Sequence, residues 1–158
     1  MKIIHKFLFL FLFFPTVTSA SSCLSKAATR WDVPEVILEA IIFQESSWQA
    51  NARNSNKNGS KDYGLMQINS INVDTLMKAG IINHEQMLMQ PCPNIHAGAW
   101  LLSQKFKKYG YSWRAVGAYH SETPHLRDKY ANAIIKIVNN APDFSQQKTS
   151  VFRSGSSS

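Results

Sequence analysis

Apolar residues recur at helical spacing along most of the chain, and the strict alternation that is typical of strands is rare. The clearest stripe begins just after Asp32 and Pro34, which suit a helix cap and a first-turn proline. The apolar positions that we expect this helix to turn toward a core are Val36, Ile37, Ala40 and Ile41. The pattern predicts a mostly α fold.

Two longer amphipathic stripes lie in the second half of the chain. The first runs from a capping Asn94 to a terminating Gly110, and the small residues Gly98 and Ala99 on its apolar face predict close packing. The second follows Pro124, and its apolar face carries Tyr130, Ile134, Ile137 and Val138. We expect both helices to be buried along these faces.

Two polar stretches interrupt this pattern. The segment from Gln49 to Asp62 is rich in Asn, Lys, Ser and Gly, and its Asn58-Gly59 pair is a strong turn signal, so a loop or small hairpin is predicted. After Pro142 the periodicity is lost, which predicts a disordered, Ser-rich tail over 142–158. We therefore expect a single folded domain over 21–141, and deletion of the tail should leave its function intact.

The N-terminal residues 1–20 have the pattern of a secretory signal peptide. Lys2 and Lys6 precede an apolar run from Phe7 to Phe14, and a Pro and small residues follow. The run is too short to span a bilayer, and no later segment approaches the necessary length. We expect an exported, periplasmic protein. A lipoprotein anchored at Cys23 is a weaker alternative, since Ala20-Ser21-Ser22 lacks the usual bulky aliphatic residue.

The two cysteines fit this export prediction. Removing residues 1–20 from the 158-residue chain would leave 138 residues, enough for one domain core but not for two. In an oxidising compartment Cys23 and Cys92 are expected to form one disulfide that ties the N-terminal helix to the middle of the domain. A pair of free thiols is the alternative, which is rare outside the cytosol.

Glu45 is the strongest candidate for chemistry. It lies one and two helical repeats after Ile41 and Ile37, so this carboxylate falls on the stripe that faces the core. Partial burial raises the pKa of a carboxyl group, which a general acid working near neutral pH requires. The alternative is an ordinary glutamate in the last turn of a helix.

Three short motifs around Glu45 resemble those of a known family. They are, in order, Glu45-Ser46, Gly64-Leu65-Met66-Gln67-Ile68-Asn69 and Ala118-Tyr119-His120. With the flanking residues 94–102 and 113–119, they resemble soluble lytic transglycosylases (SLT) of the goose-type lysozyme fold, over roughly residues 23–138. Within this family, the chain resembles the small members that accompany type III or type IV secretion, pilus or conjugation machines. This resemblance implies a lysozyme-like domain in which the polar segment forms a cleft wall.

The resemblance also implies a reaction and a set of roles. Such enzymes cleave the bond between N-acetylmuramic acid and N-acetylglucosamine with a single Glu, here Glu45, and leave a 1,6-anhydro sugar. Gln67 would bind the acetamido group or the ring, Ser46 would touch the sugar, and Tyr119 would hydrogen-bond Glu45. Met66 is expected to line the cleft floor. From the residues alone, the favoured interpretations are that Gln67 is an amide that caps a turn and Tyr119 a core aromatic.

Two positions depart from the family pattern. His120 stands where the third motif usually has Asn, and it is expected to contact the sugar in its place; the alternative is that it weakens this contact. Asp62, two residues before Gly64, is a candidate second carboxylate that would allow hydrolysis, as in a lysozyme, if it faced Glu45 across the cleft. The alternative for Asp62 is a residue that serves the turn.

Charge and motif content limit the partners. The formal charge is +7, and removal of Lys2 and Lys6 with residues 1–20 leaves +5, which suits a polyanion. No nucleic-acid motif is present. Peptidoglycan, which carries lactyl and peptide carboxylates, is the polyanion most consistent with an exported chain and is the expected partner. No cofactor is expected, and no metal, because the histidines lack ligand spacing: His84, His96, His120 and His125. A wall-binding accessory protein without activity is the alternative from another functional class.

Overall fold

The computed structural model describes residues 21–140 and 143–154, so the predicted signal peptide over 1–20 lies outside the described residues. The elements are α1 (Ser21–Trp31), α2 (Glu35–Ser46), β1 (Arg53–Ser55), β2 (Lys61–Tyr63), β3 (Ile68–Asn69), α3 (Val73–Lys78), α4 (Pro91–Tyr109), α5 (Trp113–His120), α6 (Pro124–Asn140) and α7 (Ser145–Ser154). Two 3₁₀ segments cover Ser70–Asn72 and Glu85–Met89. The predicted mostly α fold is confirmed.

Helix α2 crosses the core and ends at the candidate acid. Ile37, Ala40 and Ile41 are buried as predicted, but Val36 is exposed because Leu38 and Ile42 complete the buried surface instead. The residue before the helix is an extended Pro34 without a side-chain cap, so Asp32 does not cap α2. Ser47 closes the helix in the left-handed region, where its N–H donates to Phe43 O.

The predicted hairpin is present. Strands β1 and β2 pair antiparallel, with Ser55 opposite Lys61, and β3 adds to the other side of β2. Gly59 has φ +83, which the turn of the hairpin requires and which a residue without a side chain adopts easily. This sheet stands beside the helices as a small separate lobe.

Helix α4 joins the two parts of the domain. The predicted disulfide between Cys23 and Cys92 is confirmed and links α1 to α4. Gly98 packs so closely against Met66 that an added Cβ would lie 2.3 Å from Met66 Sδ. The helix ends before Gly110, as predicted, but it begins at Pro91, so Asn94 lies inside its first turn and is not its cap.

Helices α5 and α6 pack tightly and complete the core beside α2. A Cβ at Gly117 would lie 2.3 Å from Arg127 O, which explains why this position has no side chain. The apolar face of α6 is buried at Tyr130, Ala131 and Ile134. This arrangement brings Tyr130 toward the end of α2.

The C-terminal segment differs from the predicted disordered tail over 142–158. Residues Ser145–Ser154 form α7, and Phe144 and Val151 are buried. The Phe144 ring lies 5.1 Å from that of Phe43 and 5.6 Å from that of Trp48, between centroids. A few apolar residues among polar ones were enough to dock this segment, since Phe43 and Trp48 offered it an aromatic surface.

Within the described residues, the helices are all too short or too polar to cross a bilayer.

Candidate active site

A cleft of about 980 Å³ separates the hairpin from helices α4, α5 and α6. The hairpin side contributes Asn54, Asn56 and Asp62, and the helical side contributes Tyr119 and His120. Glu45 and Gln67 also line it. Five of the predicted site residues, Glu45, Asp62, Gln67, Tyr119 and His120, are therefore brought to one cleft from elements distant in sequence.

Glu45 occupies the next-to-last position of α2, and its side chain is half-buried at the cleft. Its Oε1 accepts a hydrogen bond of 2.6 Å from Tyr130 Oη. The carboxyl group is thus open to the cleft on one side and held by a phenol on the other.

The surroundings of Glu45 favour its neutral form. Burial raises its pKa, the hydrogen bond from Tyr130 opposes this, and the negative charge of Asp62 adds to the rise, so that the pKa is about 7. A carboxyl group with this pKa is still partly protonated at neutral pH, as a general acid must be.

Asp62 lines the same cleft and is held by two amides. Asn56 Nδ2 donates to its Oδ2 at 2.9 Å, and Asn69 Nδ2 donates to its Oδ1 at 2.7 Å. Its negative charge contributes to the raised pKa of Glu45, and both carboxyl groups line the same cleft. Asp62 is a fixed acceptor in the cleft wall, as a second carboxylate would need to be.

Gln67 lies at the cleft in a left-handed conformation with φ 46. Its Nε2 donates to Gly64 O at 2.8 Å, and its Oε1 accepts from Asn54 Nδ2 at 2.7 Å. The amide therefore does cap the turn from Gly64. It is also held at the cleft surface by Asn54, and its contact with the sugar stays a prediction.

The segment from Gly64 to Gln67 is fixed by Asn94, whose role the sequence did not indicate. This buried amide accepts from Met66 N at 2.8 Å and donates to Tyr63 O and Leu88 O, both at 2.7 Å. Gly64 has φ +67, and a Cβ there would lie 2.5 Å from Asn94 Nδ2. No local signal could have revealed this role, because Asn94 has the sequence pattern of a helix cap.

The predicted hydrogen bond from Tyr119 to Glu45 is not present. Tyr119 Oη donates to Met66 O at 3.0 Å, and Tyr130 donates to Glu45 instead. Burial raises the pKa values of the Tyr119 and Tyr130 phenols well above the usual value for tyrosine, so both hydroxyls remain donors. Tyr130 was assigned to an apolar helix face, and the signal that could have identified it is that a buried phenol needs a partner for its hydroxyl.

Two predicted contacts with substrate also differ from the structure. Ser46 is buried, and its hydroxyl lies 2.8 Å from Leu65 O and 3.1 Å from Ile42 O, both of which accept from it. Met66 is fully buried against Gly98. Neither lines the cleft, because both side chains point back from it to join α2 and α4 to the Gly64–Gln67 segment.

His120 is the exposed last residue of α5, and it lines the cleft as predicted. Its ring stacks on that of Tyr130, with 4.9 Å between the centroids and 2° between the planes. Across the part of the chain that the structure describes, no group of three or more His, Cys, Asp or Glu side chains could hold a metal ion.

The family model for the transglycosylase SLT domain matches residues 22–139. The chain is 38% identical over 124 residues to protein IpgF of Shigella flexneri, which covers 78% of this chain and 81% of that protein. It is also 38% identical over 135 residues to invasion protein IagB of Salmonella typhimurium, which covers 82% of this chain and 84% of that one.

A solved structure has the same fold. An inactive mutant of lytic transglycosylase Slt from Pseudomonas aeruginosa superposes with a TM-score of 0.58 at 22% identity. The match covers 87% of this chain and 22% of that longer chain, so the likeness is to one part of the Pseudomonas protein. The family match over most of the chain, together with relatives at 38% identity, shows that the protein belongs to the SLT transglycosylase domain family.

Proposed function

We propose that this protein is a peptidoglycan lytic transglycosylase that cleaves the β-1,4 bond between N-acetylmuramic acid and N-acetylglucosamine and leaves 1,6-anhydromuramoyl ends. The observation that carries the proposal is the placement of Glu45, a half-buried carboxyl group with a pKa of about 7, at the cleft. A single group with this pKa can serve as acid and then as base within one reaction cycle.

The reaction would proceed in two proton transfers through Glu45. The carboxylic acid protonates the glycosidic oxygen as the bond from C1 breaks, and positive charge develops on the muramoyl ring. The resulting carboxylate then takes the proton of the C6 hydroxyl while O6 bonds to C1. Glu45 is returned to its acid form, and no water is consumed. The tethered hydroxyl competes well with water because its effective concentration is far higher.

The neighbours of Glu45 would support these steps. Gln67, fixed by Gly64 O and Asn54, would present its amide to the acetamido group of the sugar. Tyr130 would stabilise the carboxylate formed after the first transfer, because its hydroxyl donates to Glu45. Tyr119 would position the wall of the cleft through Met66 O.

Hydrolysis is the second candidate, and one observation favours it. Asp62 lines the same cleft, is held by Asn56 and Asn69, and is close enough for its charge to raise the pKa of Glu45. A second carboxylate in this position could activate a water or stabilise the cation, as in a muramidase.

We further propose that the protein is exported to the periplasm and opens the wall locally for a secretion, pilus or conjugation machine. The pattern of residues 1–20 and the Cys23–Cys92 disulfide support export. One relative is named an invasion protein, and the motifs resemble small secretion-associated members of the family.

The test is mass spectrometry of the fragments that the chain without residues 1–20 releases from purified peptidoglycan. We expect anhydromuramoyl ends, and a loss of about 10³-fold in rate for Glu45→Gln but not for Glu35→Gln at the other end of α2. Reducing ends that disappear in Asp62→Asn would instead establish hydrolysis. Binding of glycan without release of fragments would indicate an accessory protein that only docks on the wall.

A further inference from the structure

The stacked pair of His120 and Tyr130 connects the cleft surface to the candidate acid. His120 is exposed at the end of α5, whereas Tyr130 on α6 is only 6% exposed. The two rings are 4.9 Å apart between centroids and nearly parallel, at 2°. On the far side, Tyr130 Oη donates to Glu45 Oε1 at 2.6 Å. The exposed imidazole of His120 is thus linked to the carboxyl group of Glu45 through a single residue, Tyr130.

The stack matters because of how a phenol donates. The hydroxyl hydrogen prefers the plane of the ring, so the plane of Tyr130 decides the direction in which its O–H points. The torsion that turns this plane is soft, unlike the first side-chain torsion, so neighbours have to fix it. The imidazole of His120, lying parallel to the ring of Tyr130, supplies this restraint on one face of the phenol.

We propose that His120 is a positioning residue that acts through Tyr130: the stacked imidazole fixes the phenol so that Oη donates to the carboxyl group of Glu45. The role in the reaction rests on the proposed function, but the positioning itself is a property of the free protein. It also gives a physical meaning to the departure at His120, because the Asn that is usual in the third motif has no ring to stack.

The charges around this pair have to be separated from the stack. Glu45 is faced by Asp62 from β2, by Tyr119 from α5 and by Tyr130 from α6. Glu122 and Lys105, which pair with each other at 2.7 Å, line the same cleft as His120. A replacement for His120 that stacks without carrying any charge therefore isolates the contribution of the ring.

The experiment measures the pKa of Glu45 by carbon-13 NMR of its carboxyl group in the substrate-free protein, with Glu45→Gln to assign the signal. The variants are His120→Asn, which removes the ring, and His120→Phe, which keeps a flat ring without charge. His125→Asn, at an exposed position on α6, is the matched control. Tyr130→Phe gives the pKa with the hydrogen bond absent altogether.

We expect the pKa of Glu45 in His120→Asn to rise by about half a unit, toward its value in Tyr130→Phe, because a less well aimed donor stabilises the carboxylate less. In His120→Phe and His125→Asn it should stay at the wild-type value. A simple loss of folding would not give this pattern, because the pKa of Glu45 is expected to be at its wild-type value in His120→Phe.

Two results would overturn the proposal. An equal rise in His120→Asn and His120→Phe would show that the charge or polarity of the imidazole acts on Glu45, and not the stack. An unchanged pKa in both variants, with weaker binding of glycan fragments, would show that His120 contacts the sugar directly. None of these measurements requires turnover, so they remain decisive even if the protein proves not to be a transglycosylase.

Discussion

Glu45 is a carboxyl group that the fold holds neutral until about pH 7. Its ordinary pKa is 4.5, so between these two values the folded protein binds a proton that the unfolded chain has released. Stability that Glu45 contributes is therefore fully present below pH 4.5 and is lost as the pH rises through 7. The property that suits an acid catalyst is a source of instability at high pH.

Glu45→Gln should change the free energy of unfolding more favourably at pH 8 than at pH 4.5. At pH 8 the wild-type carboxyl group is charged, whereas glutamine fills the same space without a charge. The difference in the change of unfolding free energy should be about 3 kcal/mol, because the pKa rises from 4.5 to about 7 and each unit corresponds to about 1.4 kcal/mol. Urea unfolding at both pH values measures it. Glu35→Gln is the control, and an effect of Glu45→Gln that is the same at both pH values would contradict the raised pKa.

Tyr130→Phe should raise the pKa of Glu45 further, because it removes the interaction that lowers it. The high-pH limb of kcat/KM should then move to higher pH by about one unit, while the rate at low pH falls because the carboxyl group is no longer oriented. The measurement is a pH profile of glycan cleavage. The control is Tyr111→Phe, which removes a hydroxyl that donates to Asp32 O away from the cleft and should leave the profile unchanged. An unchanged profile in Tyr130→Phe would show that this phenol has no role in the reaction.

At the scale of elements, the segment from Gly64 to Gln67 depends on a single side chain of α4. Asn94 is 1% exposed and makes three hydrogen bonds to backbone groups of Tyr63, Met66 and Leu88. Gly64 leaves the room for this amide. The cleft residue Gln67 is thus positioned from the helix behind it.

Asn94→Ala should lower the unfolding free energy by about 3 kcal/mol, because it leaves three buried backbone groups without partners. Urea unfolding measures the loss, and Asn83→Ala, at an exposed position, should cost little. If Asn94→Ala were as stable as Asn83→Ala, water would have to replace the amide, and the segment would not depend on α4.

How far the sequence could predict these elements depends on the range of the interaction. Helix α2 follows from local periodicity, and so does the position of Glu45 at its end, because burial on one face repeats every turn. The contacts of Tyr130 with Glu45 and of Asn94 with Met66 span 85 and 28 residues, and no local pattern encodes them. The motif match predicted that Ser46 and Met66 belong to the site because they are next to Glu45 and Gln67 in sequence. In the structure both side chains point inward, away from the cleft.

At the scale of the whole molecule, the C-terminal segment closes the fold over the end of α2. Phe144 packs against Phe43 and Trp48, which lie on either side of Glu45 in sequence, and Lys148 pairs with Glu39 on the same helix. Ser47 and Trp48 both have positive φ, at 49° and 65°, so the chain turns sharply after the acid. We infer that α7 supports this turn from outside the cleft.

Phe144→Ala should lower the unfolding free energy by about 3 kcal/mol, because it empties an aromatic cluster that α7 shares with α2. Gln146→Ala, at an exposed position of α7, should cost less than about 0.5 kcal/mol, as surface substitutions usually do. Deletion of residues 143–158 should cost at least as much as Phe144→Ala and should change the fluorescence of Trp48, which is 4% exposed beneath this segment. A truncated protein with unchanged stability would restore the prediction of a tail outside the domain. A destabilised one that still cleaves glycan at the normal rate would show that α7 supports the fold without orienting Glu45.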